Sequence, residues 1–314
     1  GLFAQRSNIF RPSFIRMLGS MNRFNQESRK DLPSIDPKTT LGEYLLKNNY
    51  STEFIQHFII PIGAAIWSTV PTDMMNIPAV FFIRFFENHG LLQIIDRPNW
   101  WVIKGGSKTY VEKIISHFKD KIRLSTPVKN VKREKDSITV HFGDEGENEE
   151  AFDAIVFATH SDQSLEILDQ PTKDEEEILG SIKYQSNNAV LHFDDSILPQ
   201  RKLAWSSWNY LLDHDQSKPV ALTYNMNILQ GLACSRTYCV TLNSQDLIDP
   251  EKIIKYLNYE HPLFTLPSIN AQKQKSKISG ENNTYYCGAY WRNGFHEDGV
   301  VSALDVCSHF GETL

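Results

Sequence analysis

An α/β fold with helix and sheet segments mixed, in which two domains interleave along one chain, is predicted by three observations. The first hundred residues carry helical signals almost throughout. Asp153-Ala-Ile-Val-Phe-Ala-Thr159 is a continuous apolar run, the pattern of a strand buried on both faces. Residues 188–242 are rich in strand formers, and the chain closes as strand, glycine loop and helix.

The elements follow in order. Residues 9–27 read as a helix with Pro12 near its start. Thr40 and Glu43 make a capping box that opens a helix over about 41–48. Ser51 or Thr52 caps a helix over about 52–60, which Pro61 and Gly63 end. An apolar helix spans 78–88. A strand-like run from Trp100 reaches Gly105-Gly106 and is followed by a helix over about 107–118. A strand at 121–124, a hairpin at 128–133 and 137–142, and a solvated acidic turn at 144–150 precede the apolar run. Short helices at 165–168 and 173–179 come next. Strands are expected at 189–193, 203–212, 220–226 and 238–242, then a helix at 250–258 with Pro250 in its first turn. A strand at 284–289 precedes a helix starting at Asp298 or Gly299.

Composition bounds the function. The chain has 314 residues, net charge −6 and 41% hydrophobic residues, enough for a sizeable core. The charge gives no argument for nucleic acid. Cys234, Cys239, Cys287 and Cys307 show neither C-x-x-C nor zinc spacing, so they read as reduced and no metal site is expected. That fits a cytoplasmic protein. No apolar run approaches the roughly 18 residues of a membrane span. The first thirty residues are locally basic: Arg6, Arg11, Arg16, Arg23, Arg29 and Lys30 face only Glu27. Apolar residues interleave with them. This is a surface helix or a basic amphipathic face resting on an anionic membrane or a lipid substrate.

Four local signals point to one chemistry. The Gly105-Gly106 doublet before a helix lets backbone approach a ligand closely. The apolar strand ends in Ala158-Thr159-His160. Two segments, Trp205 to Tyr210 and Thr223 to Gln230, set large aromatics beside amides, as a substrate wall does. Gly288 to Ala303, with its Gly294-Phe-His-Glu-Asp298-Gly299 core, aims a helix N-terminus at something electron-rich.

In this order the four signals resemble the flavin-containing amine oxidase superfamily, and most closely its bacterial predicted NAD/FAD-binding, amine-oxidase-domain members. The resemblance implies an FAD/NAD(P)-binding-type domain interleaved with a substrate domain of antiparallel sheet plus helices. Residues 1–99 would be the helical part of the substrate domain and 100–165 part of the FAD-binding domain. Residues 166–275 would return to the substrate domain, and 276–314 would be the closing FAD-binding element. It implies FAD contacts at Gly105, Gly106, Gly294, Asp298, Gly299 and Val300. It implies a substrate pocket of Trp101, Trp208, Tyr210, Tyr224, Asn225, Tyr290 and Trp291. His160 and His296 are the acid–base candidates, because imidazole titrates near neutral pH. Lys104 is the nearest lysine to the family's flavin-facing one. Ala289 stands where the family carries an acidic residue.

One family feature is missing. No G-x-G-x-x-G occurs in the sequence, although the fold's first unit uses it to hold the pyrophosphate. The chain is therefore expected to be a fragment, incomplete at its N-terminus, with FAD bound weakly or not at all. Its partners would be that missing segment, a small-molecule substrate of apolar or lipid-like kind, and a membrane surface touched by the basic N-terminal helix. The alternative is a non-catalytic binding or scaffold protein that retains the flavoprotein fold. An NAD(P)-dependent enzyme without flavin has no motif in its favour.

Overall fold

A computed structural model describes residues 3–93, 98–99, 101–135, 137–212 and 221–313. It divides into two compact units, and the chain visits each twice. One comprises Gly1–Thr109 and Gln185–His261; the other comprises Tyr110–Tyr184 and Pro262–Leu314. The sequence places these exchanges at 99/100, 165/166 and 275/276. The structure has all three elsewhere, at 109/110, 184/185 and 261/262.

The first pass through the first unit is helical. Pro12 opens α1 (Pro12–Asp31), where a fixed φ suits the first turn and the missing N–H has no partner to lose. Phe24, fully buried, meets the rings of Tyr44, Tyr50, Phe54 and Phe82 at centroid distances of 5.5–6.5 Å. Thr40 and Glu43 form the expected capping box on α2 (Leu41–Lys47). The Thr40 N–H donates to Glu43 Oε2 at 2.9 Å, and the Glu43 N–H donates to Thr40 Oγ1 at 3.2 Å.

Pro61 does not end the next helix. A π turn at Ile55–Ile59 widens the spiral, with the Ile60 N–H donating to Ile55 O. Pro61 then enters α3 (Ile60–Trp67) in its first turn, where it needs no N–H partner. Gly63 is a packing requirement rather than a stop: a Cβ there would lie 2.6 Å from Met74 Sδ and 2.9 Å from Phe82 Cε2. Phe82 and Phe86, on α4 (Ala79–Asn88), stack at 4.2 Å.

The expected strand before the glycine doublet is absent. Trp100 lies outside the described residues, and 101–106 form a loop and turn. Gly105 and Gly106 both have positive φ, 85° and 81°, and two such residues cannot continue a strand. Trp101 is 86% exposed there.

The chain crosses into the second unit along α5 (Lys108–Ile115). A 3-10 turn at Lys119–Lys121 and irregular chain replace the strand expected at 121–124. β1 (Val128–Arg133), β2 (Ile138–Phe142) and β3 (Asn148–Phe152) form an antiparallel meander. Residues 148–150 of the acidic tract are thus strand, not turn, because an edge position solvates their carboxylates while the backbone pairs with β2. β4 (Ile155–Phe157) is shorter than the apolar run and is not covered on both faces: Phe157 is buried, Val156 44% exposed. α6 (Ser161–Ile167) and α7 (Lys173–Gly180) follow.

On its return the first unit builds a five-stranded sheet in the order β6-β7-β8-β5-β9. The strands are β5 (Tyr184–His192), β6 (Trp208–Leu211), β7 (Ala221–Asn225), β8 (Cys239–Leu242) and β9 (Ile253–Pro262). Val220, given to a strand by the sequence, lies outside the described residues. A short helix, α8 (Met226–Gln230), follows β7. The helix expected at 250–258 is a 3-10 turn, Pro250–Lys252, running into β9. Ile253, Ile254, Tyr256 and Tyr259 suit a pleated edge, and pairing with β5 decides the outcome. Inside the sheet, His192 Nε2 lies 2.7 Å from Thr241 Oγ1, which lies 2.8 Å from Thr223 Oγ1. His192 Nδ1 accepts from the Asp194 N–H, so the proton sits on Nε2 and the imidazole is neutral; burial lowers its pKa.

The second unit closes with α9 (Leu266–Gln272), β10 (Thr284–Tyr286) and α10 (His296–His309). β10 pairs parallel with β4, Tyr286 opposite Phe157. Their rings stack at 5.4 Å in a core with Val131, Ile138, Ile178 and Leu179.

A buried ion pair runs through this core. Arg133 of β1 donates to both oxygens of Glu175 on α7, at 2.6 and 2.9 Å, and to Gln170 O at 2.8 Å. The Tyr286 hydroxyl donates to Glu175 Oε1 at 2.7 Å, and the Thr172 N–H to Oε2 at 2.7 Å. Burial works to raise the Glu175 carboxyl, but the Arg133, Thr172 and Tyr286 hydrogen bonds outweigh it and hold it below the ordinary range. Removing one partner strands a charge in the core. Arg133→Met is expected to cost about 3–5 kcal/mol in urea denaturation at pH 7. A carboxyl depressed in the fold contributes stability above its unfolded pKa of about 4.3. That stability falls with pH through the folded value. Arg133→Met should flatten this acid limb of stability against pH.

Candidate functional site

The glycine-rich segment Gly288 to Gly299 leads into the start of α10. Gly288 follows β10 with φ 156°, and its N–H donates to the buried Ser302 Oγ at 3.0 Å, tying the strand's end to the helix. A 3-10 turn at Ala289–Trp291 leads to Gly294, φ 94°. The left-handed region favours glycine there, and a Cβ would also come within 3.2 Å of the Phe264 ring.

α10 begins at His296, two or three residues earlier than its sequence suggests. The reason is Asp298: its Oδ2 accepts from the Phe295 N–H at 3.0 Å, a cap the glycine count concealed. The first helical bond runs from the Gly299 N–H to Phe295 O. The N–H groups of His296, Glu297 and Asp298 therefore have no partner within the helix and form its positive end. Gly299 stands on this first turn, with no atom within 4 Å of a Cβ placed on it, and Val300 beside it is exposed. A first turn that carries a glycine, and whose backbone donors have no partner within the helix, suits an electron-rich group. The Asp298 carboxylate is spent on the cap, so only its backbone is left for a ligand.

The other sequence-derived residues divide between the units. Gly105 and Gly106 belong to the first, and a Cβ on Gly106 also meets nothing within 4 Å. Lys104 is exposed on the same loop. Trp208 faces Tyr224 across β6 and β7, edge to face at 5.6 Å, and Tyr210 lies two residues along. Burial pushes the Tyr224 hydroxyl up to about 12 and raises that of Tyr210. Asn225 is buried, and its Oδ1 accepts from the Ile228 N–H at 3.1 Å, capping α8.

Tyr290 and Trp291 lie in the hydrophobic core of the second unit. The Tyr290 ring lies 5.0 Å from that of Trp291, and burial raises the pKa of its hydroxyl. Of the acid–base candidates, His160 precedes α6 and stacks on Tyr184 at 4.2 Å. His296 is exposed on α10, its Nδ1 3.0 Å from the Tyr110 hydroxyl. Among the described residues no cluster of His, Cys, Asp or Glu is arranged to hold a metal ion.

Sequence reasoning missed Ser302 and Lys275. Lys275 Nζ lies 3.4 Å from Ser302 Oγ, 3.5 Å from Asp305 and 5.9 Å from the Trp291 ring centre. Burial lowers its pKa against the pull of Asp305. Nothing in the local sequence around either residue signals this meeting. Replacing the cap, Asp298→Ala, is expected to cost about 1 kcal/mol in thermal or urea unfolding.

The family model for flavin containing amine oxidoreductase matches residues 15–224, more than half of the chain. No curated protein matches the sequence. Among solved structures, the CLA-producing fatty acid isomerase from P. acnes is similar at TM-score 0.64 and 13% identity, over 96% of this chain and 75% of that one. Cyclohexylamine oxidase from Brevibacterium oxydans IH-35A is similar at 0.59 and 12%, over 96% and 76%. Putrescine oxidase bound to putrescine is similar at 0.61 and 12%, over 94% and 76%. At these identities the likeness shows the fold.

Proposed function

The chain belongs to the flavin containing amine oxidoreductase family, and from that membership we propose an FAD-dependent two-electron oxidation of an apolar or lipid-like substrate. The observation that carries the substrate reading is the face of β6 and β7. It presents Trp208, Tyr210 and Tyr224, and neither strand contains a charged residue. Such a wall favours a hydrocarbon over a hydrated ion. The same fold serves a fatty acid isomerase and two amine oxidases, so architecture alone leaves the substrate open.

When bound, the flavin supplies the sink for the two electrons leaving a substrate carbon. The chain's own residues have narrower tasks. The α10 N-terminus, with Gly294, Gly299 and Val300, would hold the ring's electron-rich edge and stabilise negative charge there. Tyr110 would orient His296 through Nδ1, leaving Nε2 to hold or pass a proton. The Tyr224 hydroxyl, with its pKa near 12, stays protonated at neutral pH and acts as a neutral surface.

A second reading rests on the same aromatic pair. Trp208 and Tyr224 meet edge to face, an arrangement that also accepts a cationic amine through its ring faces. Anaerobic bleaching of the flavin band separates the two. The protein expressed from its complete gene should bleach with an unsaturated fatty acid or polyene. Bleaching by putrescine or cyclohexylamine alone would overturn the lipid reading. Bleaching by none would favour a non-catalytic binding protein.

Two predictions concern the cofactor. These 314 residues contain no G-x-G-x-x-G, so this chain by itself should lose added FAD on gel filtration. Stoichiometric retention would count against the assignment of the phosphate contacts. Gly299→Leu should hold or slightly raise the melting temperature, since its side chain meets open space and leaves a helical glycine behind. It should weaken FAD binding by at least about tenfold, near 1.4 kcal/mol, in a fluorescence titration of the complete protein.

A further inference from the structure

We propose that the N-terminal face of the first unit docks on an anionic lipid bilayer. Phe10, 88% exposed, is the most exposed large hydrophobic among the described residues. It ends a 3-10 turn, Arg6–Phe10, that leads into α1. Phe3, Ile9 and Ile15 are exposed as well, and Phe3 braces Phe14 edge to face at 5.9 Å. Four exposed apolar side chains within thirteen residues make a patch that water solvates poorly.

Charge names the occupant. Arg6 and Arg11 flank Phe10 on either side, both exposed and, among the described residues, without an ion pair. Arg16 pairs with Glu53 yet remains largely exposed. No acidic residue occurs before Glu27. Apolar side chains interleaved with unpaired guanidinium groups match a surface that offers acyl chains beneath negative headgroups. An apolar protein partner would leave the two arginines buried and unpaired, at a large cost. Among the described residues no helix is long and apolar enough to cross a membrane.

Vesicle co-sedimentation tests this with the FAD-loaded protein from its complete gene. Binding is expected to vesicles of phosphatidylglycerol mixed with phosphatidylcholine. It should fall at least about tenfold on phosphatidylcholine alone and weaken as salt rises. Arg6→Glu with Arg11→Glu should abolish it, and Phe10→Ser should reduce it about tenfold. These side chains are exposed, so melting temperatures should stay unchanged and separate lost docking from lost folding. In Phe10→Trp, the new indole should shift its emission to the blue on adding anionic vesicles. Equal binding to neutral and anionic vesicles, no binding at all, or a Phe10-dependent dimer in solution would each overturn the proposal.

Discussion

The second unit is organised around one buried carboxylate. Glu175 receives Arg133 from β1, the Tyr286 hydroxyl from β10 and the Thr172 N–H from its own cap. These bonds link meander, helix and parallel strand at one point. A charge taken out of water tolerates little displacement, because every lost bond exposes a desolvation cost of several kcal/mol. The pair therefore fixes where β10 ends. The end of β10 in turn sets Gly288, the Ser302 bond and the start of α10.

At α10 the geometry is decided by what is left off. Gly294 occupies a conformation that a side chain resists, and Gly299 adds no side chain to the first turn. Asp298 takes the outermost N–H for itself and leaves the next three pointing outward. A helix built this way is capped for stability and open for a ligand at once.

The first unit rests on different physics. Its helices meet through rings around Phe24, and a π turn admits Pro61 so that Gly63 can press against Met74 and Phe82. Its sheet holds a neutral His192 bonded along a line of threonines. Little of this is charged. That leaves the exposed charge of the first sixteen residues conspicuous, and it is all of one sign.

Local chemistry made part of this legible in sequence. The Thr40–Glu43 capping box, Pro12 at a first turn, the apolar helix read at 78–88 and found at 79–88, and the pairing of β1 with β2 depend on neighbours a few residues apart. The family resemblance was legible too, because its glycines answer to backbone conformations that few other residues adopt. Thr172 and Glu175 repeat the capping-box spacing, which could have flagged that helix start, but nothing local says that Glu175 would also find Arg133, 42 positions away. Tertiary structure alone settled which strand β9 joins, that Tyr290 and Trp291 are core, and that Val156 is half in water. Each of these turns on a partner distant in sequence, and hydrophobic pattern states only that a residue seeks cover, not which element provides it.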